Sequence, residues 1–301
     1  MEKVAIVILN YLNYKDTIEC VESLNNDKYC DKEVVIVDNG SNNDSWTVLE
    51  AKYCNSRVHL LKSDKNLGFA KGNNIGINYA VNKLNCKFVL LVNNDTIFND
   101  SNLITELMNA YEEGVAVIGP RIIAANGVEQ NPVPAEVSKA RIEEEFAIYK
   151  SLKYRFYNGD LYIKLNENEY FKKMKIMIKK YLLRRGNIDK KGEISNNKKS
   201  QDLVLHGACM LLTKDYFNYY SGLFPNTFLY YEENILTLLT KKVGLYKKFI
   251  NSVNIYHKED QSSKMSFNNL SKVKKKYLFD SMKLCKELFD LSYDQIINKF
   301  F

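Results

Sequence analysis

Five apolar residues in a row, Phe88-Val89-Leu90-Leu91-Val92, end abruptly at Asn93-Asn94-Asp95. A short run rich in Val and Leu predicts a strand buried on both faces, as in a parallel sheet covered by helices. The same signature recurs at residues 4–9 and 33–37, and in shorter form at 58–61 and 115–118. Between these runs the period becomes helical. Residues 16–24 place Ile18, Val21 and Leu24 on one face, with Asp16 as a possible cap. Ile77, Ala80, Val81 and Leu84 mark a second helix. Leu103, Leu107 and Tyr111 mark a third, capped by Asp100 or Ser101 and closed by Gly114. This alternation predicts an α/β fold built from βαβ units around a mostly parallel sheet.

The pattern changes after Pro134. Residues 139–200 hold few β-branched runs and many charges. Within them, YFKKMKIMIKKYLLRR (170–185) sets Phe171, Met174, Ile178 and Leu182 on one helical face among lysines and arginines. Residues 187–201 read as a polar, lysine-rich linker or exposed loop. A strand-like run returns at 203–212, interrupted by His206-Gly207, and another at 253–256, closed by His257. Residues 270–301 read as an amphipathic helical tail with a basic cluster at 272–276.

Composition narrows the class. With 301 residues, 46% hydrophobic and 26% charged, the chain is an ordinary globular sequence with ample material for a core. Its longest apolar runs are too short to span a bilayer, and the first reads as a strand, not a signal peptide, so a cytoplasmic protein is expected. The six cysteines include no CxxC pair, which argues against a zinc site or a disulfide framework. A net charge of +7 suits a membrane surface, a phosphorylated substrate or a nucleic acid. Nucleic-acid binding rests on charge alone and is not expected.

Polar groups gather at the carboxyl ends of the predicted strands, the edge where open α/β sheets bind ligands. Asn10-Tyr11 follows the first strand, Asp38-Asn39-Gly40-Ser41 the second, residues 64–74 the third, and Asn93-Asn94-Asp95 the fourth. Asp38 can accept the imide N–H of uracil or thymine; the lesser alternative is that Asp38 and Ser41 cap a turn or the next helix. The segment from Asn66 through Gly68, Lys71 and Asn73 offers backbone N–H groups to a diphosphate, although Gly-Asn turns are common. Asp95 is a candidate ligand for Mg²⁺ or Mn²⁺, which take hard oxygen donors. Glu232-Glu233 follow aromatic residues, where burial and like charge would raise one pKa and suit a general base. They would also suit a helix N-terminus. His257 is a structural histidine or a further metal ligand.

The ordered set VAIVILNY, EVVIVDNGSNNDS, NLGFAKGNNIG, FVLLVNNDT, VLHGACMLLTKDYF, FLYYEENIL and VNIYHKEDQSS resembles the family 2 glycosyltransferases of the GT-A fold. The branch it most resembles contains rhamnosyltransferases and capsule or O-antigen sugar transferases. The likeness covers residues 1–125 and 203–263. It implies a catalytic domain at 1–263, with a nucleotide-binding half (1–125) and an acceptor half (203–263); residues 139–200 and the last forty or so match nothing in the family and, from their own pattern, read as a basic helical insertion (139–200) and a helical tail (264–301).

The resemblance implies an inverting, metal-dependent transfer from a UDP- or dTDP-sugar to a hydroxyl on a lipid-linked or surface polysaccharide glycan. Asp38 would read the nucleotide base, and Asp95 would be the last residue of the metal motif, with His257 also meeting the metal. Glu233 matches the base position with Glu232 beside it, and His206-Gly207 lie near donor sugar and acceptor. Two positions depart from the pattern. Asn93 replaces the first aspartate of DxD, and Asn234 replaces an acid that often follows the glutamates. They motivate an alternative, a catalytically silent sugar-nucleotide-binding subunit of a glycan assembly complex. A nucleotidyltransferase on a similar sheet would need a glycine-rich, Lys/Arg-bearing loop near the N-terminus, which the chain lacks. The basic faces fit peripheral contact with the inner face of the membrane, and the sequence leaves homo-oligomer formation open.

Overall fold

Strands β1 (Val4–Asn10), β2 (Lys32–Asp38), β3 (Val58–Lys62) and β4 (Phe88–Asn93) grow from the apolar runs and lie side by side in the order β3-β2-β1-β4, all parallel. Alternate side chains feed opposite faces. Ala5, Val7, Val35, Val37, Val89 and Leu91 enter one apolar cluster. Ile6, Ile8, Ile36, Leu90 and Val92 enter the other. Because both faces are covered, these runs need no polar alternation. Helix α3 (Phe69–Asn82) covers the first face through Ala70, Ile77 and Ala80. Helices α1 (Tyr14–Ser23), α2 (Ser45–Tyr53) and α4 (Leu103–Asn109) cover the second. The structure, a computed structural model, describes residues 2–155, 198–258 and 270–301.

Helix ends depart from expectation for local reasons. Asn13, not Asp16, caps α1 by accepting the Asp16 N–H. Asn102 precedes α4, and Asp100 accepts the Asn102 N–H instead of capping the helix itself. Helix α2 is absent from the sequence reading, because only Ser45, Leu49 and Tyr53 of its length are buried; three positions make a faint period.

The rest of the sheet is mixed: the sheet is mostly parallel as expected, with antiparallel strands added in its second half. It contains β5 (Thr96–Ile97), β6 (Val115–Ala124), β7 (Lys198–Ser200), β8 (Cys209–Leu212) and β9 (Tyr246–His257). Strand β8 inserts antiparallel between β4 and β6. Strand β9 runs parallel to β6 and antiparallel to β5 and β7. The run at 203–212 does not form one strand: Val204 bridges to Val133, and pairing resumes only at Cys209, after His206-Gly207.

Helices α5 (Lys139–Arg155), α6 (Lys214–Phe217), α7 (Glu232–Lys242), α8 (Leu270–Asp290) and α9 (Tyr293–Phe300), with a 3-10 turn at Leu24–Asn26, complete the described elements. Two compact units divide the chain, Met1–Ile142 with Asn197–Phe301, and Glu143–Asn196. In the first, Met282, Cys285, Leu288 and Ile296 of the two C-terminal helices are buried, and the Ser281 hydroxyl donates to the Leu229 carbonyl at 3.1 Å. The basic face at 170–185 lies outside the described residues. Among those described, no helix is long and apolar enough to cross a membrane.

Candidate active site

The register of β1 sets Asn10 beside Asp38, and Leu9 beside Asn93, so three polar strand ends share one edge of the sheet. A relay of hydrogen bonds joins them. Asn94 Nδ2 donates to Thr17 Oγ1 at 3.1 Å, Thr17 Oγ1 donates to Asn10 Oδ1 at 2.8 Å, and Asn10 Nδ2 donates to Asp38 Oδ1 at 2.7 Å. The Ser41 hydroxyl donates to the same Asp38 oxygen at 2.6 Å, and the Ser41 N–H reaches Asp38 Oδ2 at 3.3 Å. Asp38 and Asn10 are wholly buried. Tyr11 stands half-buried at the rim.

Asn39 is also buried and is saturated. Its amide nitrogen donates to Asn66 Oδ1 and the Gly68 carbonyl, both at 3.1 Å, while its oxygen accepts the Leu67 N–H at 3.0 Å. The Gly68 N–H goes to Asn66 Oδ1 and the Phe69 N–H to the Phe228 carbonyl. An N–H carries one proton, so the amides of residues 67–69 that the sequence offers to a diphosphate are engaged within the chain. Asn73 likewise donates to the Phe69 carbonyl, whereas Lys71 is exposed. Gly68 is required here: at φ +84 a Cβ would lie 2.3 Å from the Phe228 carbonyl oxygen.

Asp95 and His257 meet across the β5–β9 pairing. Asp95 Oδ1 lies 3.3 Å from His257 Nε2, and both side chains are nearly buried. The His257 ring is 5.6 Å from that of His206, edge to face. The Asn93 N–H donates to the Ala208 carbonyl at 2.9 Å, which ties the end of β4 to the His206-Gly207 segment. Lys258 closes this corner. Its N–H donates to the Asp95 carbonyl at 2.9 Å, and its ammonium pairs with Asp16 at 2.7 Å and Glu19 at 2.5 Å. Burial works against the Lys258 charge, but the two carboxylates outweigh it and hold the ammonium above the usual lysine range.

Glu233 Oε1 accepts the Gly207 N–H at 3.1 Å, which brings the glutamate pair to this same segment. Its neighbour differs. The Glu232 Oε1 is enclosed without a hydrogen-bond partner among the described residues. Burial, reinforced by the Glu233 charge, pushes the Glu232 carboxyl up to about 8, so it stays protonated at neutral pH. Tyr230 and Tyr231, just before the helix, have φ of 70° and 74°. Two successive non-glycine residues in the left-handed region store about 1–3 kcal/mol each.

The structure therefore gathers Asp95, His257, His206, Gly207 and Glu233 at one corner, and Asp38, Asn10 and Asn94 along the adjoining edge. Sequence reasoning missed Thr17, Lys258, Gln130 and Asn131. Asn131 accepts the His206 N–H at 3.1 Å, and Gln130 faces His257. Neither lies in a recognisable motif.

Residues 4–220 match the family described as Glycosyl transferase family 2. The chain belongs to this family. Among curated relatives, the low-salt glycan biosynthesis hexosyltransferase Agl10 of Haloferax volcanii is 30% identical over 135 residues, covering 44% of this chain and 41% of that protein. Glycosyltransferase GlyG of Streptococcus pneumoniae is 26% identical over 118 residues, covering 39% and 38%. The chain thus spans about two fifths of the length of these relatives. S. aureus TarS 1-349 in complex with UDP-GlcNAc superposes with a TM-score of 0.54 at 17% identity, covering 98% of this chain and 69% of that one. Mannosyltransferase PcManGT of Pyrobaculum calidifontis, in complex with GDP-Man and Mn²⁺, gives 0.52 at 10% identity, covering 86% and 57%. The fold is the GT-A glycosyltransferase fold.

That fold implies a divalent cation. Among the described residues no cluster of three or more His, Cys, Asp or Glu side chains forms a complete site. The Asp95–His257 pair nevertheless suits Mn²⁺ or Mg²⁺. It provides one hard oxygen and one imidazole nitrogen facing each other, a donor set that substrate phosphates and water would complete.

Proposed function

We propose that the protein is an inverting glycosyltransferase that moves a sugar from a nucleoside diphosphate donor, a UDP- or dTDP-sugar, to an acceptor hydroxyl. The observation that carries this reading is the junction at His206-Gly207, where a carboxylate suited to be a base and a carboxylate–imidazole pair suited to a cation meet. The ligands named with TarS and PcManGT support a nucleotide-sugar donor. The name of Agl10 supports a glycan acceptor. The resemblance points further, to the rhamnosyl, capsule and O-antigen branch and to a lipid-linked or surface glycan. The basic face at 170–185 fits docking at an anionic membrane; flotation with anionic liposomes at low salt should retain the protein, and its loss from the floated fraction would refute docking.

In this mechanism Glu233 takes the proton of the acceptor hydroxyl as that oxygen attacks the anomeric carbon. The Gly207 N–H fixes one carboxylate oxygen and leaves the other to point at the acceptor. Glu232, held neutral by burial, adds no second charge beside Glu233. Asp38, aligned by Asn10 and Ser41, would accept from the base of the nucleotide through Oδ2, which carries one long hydrogen bond; since Asp38 is wholly buried, the residues covering it must first move aside. Asp95 and His257 would hold Mn²⁺ or Mg²⁺, which neutralises charge on the departing diphosphate. A panel of nucleotide sugars with Mn²⁺, read by thermal shift and then by turnover, tests the proposal: a stabilising donor should be hydrolysed or transferred. Binding without any turnover would overturn it.

A further inference from the structure

His206 and His257 sit edge to face, yet their surroundings give them opposite tautomers. His206 Nδ1 accepts the Ala208 N–H at 3.1 Å, so its proton is on Nε2. His257 Nδ1 lies 2.8 Å from Gln130 Oε1, an atom that can only accept. With Gln130 Oε1 as the acceptor, a neutral His257 ring carries its proton on Nδ1, and Nε2 then turns its lone pair toward Asp95 Oδ1 at 3.3 Å. Two acceptors at that distance repel until a positive charge, a proton or a cation, comes between them.

Gln130 is well held. A tight turn returns the chain from β6: the Gly127 N–H goes to the Ala124 carbonyl and the Ala124 N–H to the Val128 carbonyl. Arg121 pairs with Glu129 at 2.8 Å, and the Gln130 N–H donates to the Ile122 carbonyl at 2.9 Å. The next residue, Asn131, is buried, donating to the Pro120 carbonyl and accepting the His206 N–H. Adjacent residues thus secure both histidines.

We propose that Gln130 is a positioning residue that locks His257 in the Nδ1–H tautomer, so that Nε2 and Asp95 together face a divalent cation. The proposal deepens the metal reading above and rests on it. Histidine ligands in metal sites are commonly held in this way, and loss of the outer hydrogen bond costs about 10–100-fold in metal affinity.

The test uses the full chain labelled with ¹⁵N in histidine, at alkaline pH where imidazoles are neutral. The chain has only three histidines, so variants at His59 and His206 assign the His257 signals. Wild type should show the Nδ1–H pattern without metal, and an Nε2–H pattern would overturn the proposal with no variant needed. Gln130→Leu should release the lock and shift His257 toward Nε2–H, whereas Gln130→Glu, which keeps an acceptor, should preserve Nδ1–H. Mn²⁺ binding in the presence of UDP, read by electron paramagnetic resonance, should weaken about 10–100-fold in Gln130→Leu. An unmoved tautomer refutes the role of Gln130. A moved tautomer with unmoved Mn²⁺ binding refutes His257 as a metal donor, so the two failures are told apart.

Discussion

The two halves of the site handle their polar groups differently. Along the nucleotide edge, Asn10, Asp38, Asn39 and Asn94 are buried and bonded to one another or to nearby backbone. At the glutamate–histidine corner, Glu232 Oε1 is enclosed without a partner among the described residues, and His257 Nε2 lies 3.3 Å from Asp95 Oδ1. Tyr230 and Tyr231 are strained there as well. The first half is a finished frame whose shape exists without ligand. The second holds the groups to which the proposed mechanism assigns the proton transfer and the cation. A buried, unpartnered polar atom costs about 1–3 kcal/mol, and Glu232 Oε1 carries that cost next to Glu233.

The largest effect should come from breaking the catalytic corner. Glu233→Gln should lower kcat by about 10²–10⁴-fold with little change in donor KM, since it removes the base and leaves the frame intact. Glu232→Gln should retain most of the turnover, because a neutral amide resembles the protonated acid. Steady-state kinetics with an accepted donor decides between them; a more damaging Glu232→Gln would make Glu232 the base.

Next is the point where the halves touch. Gly68→Ala places a methyl group against the Phe228 carbonyl and forces alanine to φ +84. Displacing residue 228 disturbs the segment leading to Tyr231 and Glu232. Loss of about 2 kcal/mol or more in urea unfolding is expected, together with a drop in kcat that the glutamates' own chemistry does not explain. Unchanged unfolding would show that the segment yields easily and that the halves are independent.

The frame was largely legible in the sequence and the corner only in part. Buried runs ending in Asn and Asp disclosed β1, β2 and β4 and their shared edge, since burial on both faces leaves a simple mark; β3, half-buried and ending at Lys62, showed only as a short apolar run. The direction of β8 left no such mark, because a doubly buried run reads the same whether parallel or antiparallel. The glycine and asparagine cluster at 66–74 was visible, but its purpose was not: its amides bind Asn39, Asn66 and Phe228. Composition shows donors, and only the fold shows which acceptors reach them first. Gln130 and Lys258 were silent because their contacts join distant segments, and nothing in Tyr230-Tyr231 announces positive φ in residues other than glycine.

A smaller effect probes the frame alone. Asn39→Ala removes one acceptor and two donors from the 66–68 loop. It should cost about 1–3 kcal/mol in stability and raise donor KM, while kcat per folded molecule stays near wild type. A fall in kcat as large as that from Glu233→Gln would erase the distinction between frame and corner.

The subtlest prediction sets two buried titratable groups against each other. Glu232 is raised to about 8 from 4.5, so between those pH values the folded chain keeps a proton that the unfolded chain releases, and stability falls as pH rises. Lys247, wholly buried on β9, donates to the Gln201 carbonyl at 2.7 Å and to Thr240 Oγ1 at 3.2 Å. Burial, and then the Lys241 charge, push its ammonium down to about 7 from 10.5. Between those values the unfolded chain holds the extra proton, and stability rises with pH. The two slopes meet near neutrality, where these groups together leave the chain least stable. Urea midpoints measured across the pH range should show that dip in wild type. Glu232→Gln should remove the falling limb, and Lys247→Met the rising one. If the Glu232→Gln curve overlays wild type, Glu232 is not held protonated, and the corner is no less settled than the frame.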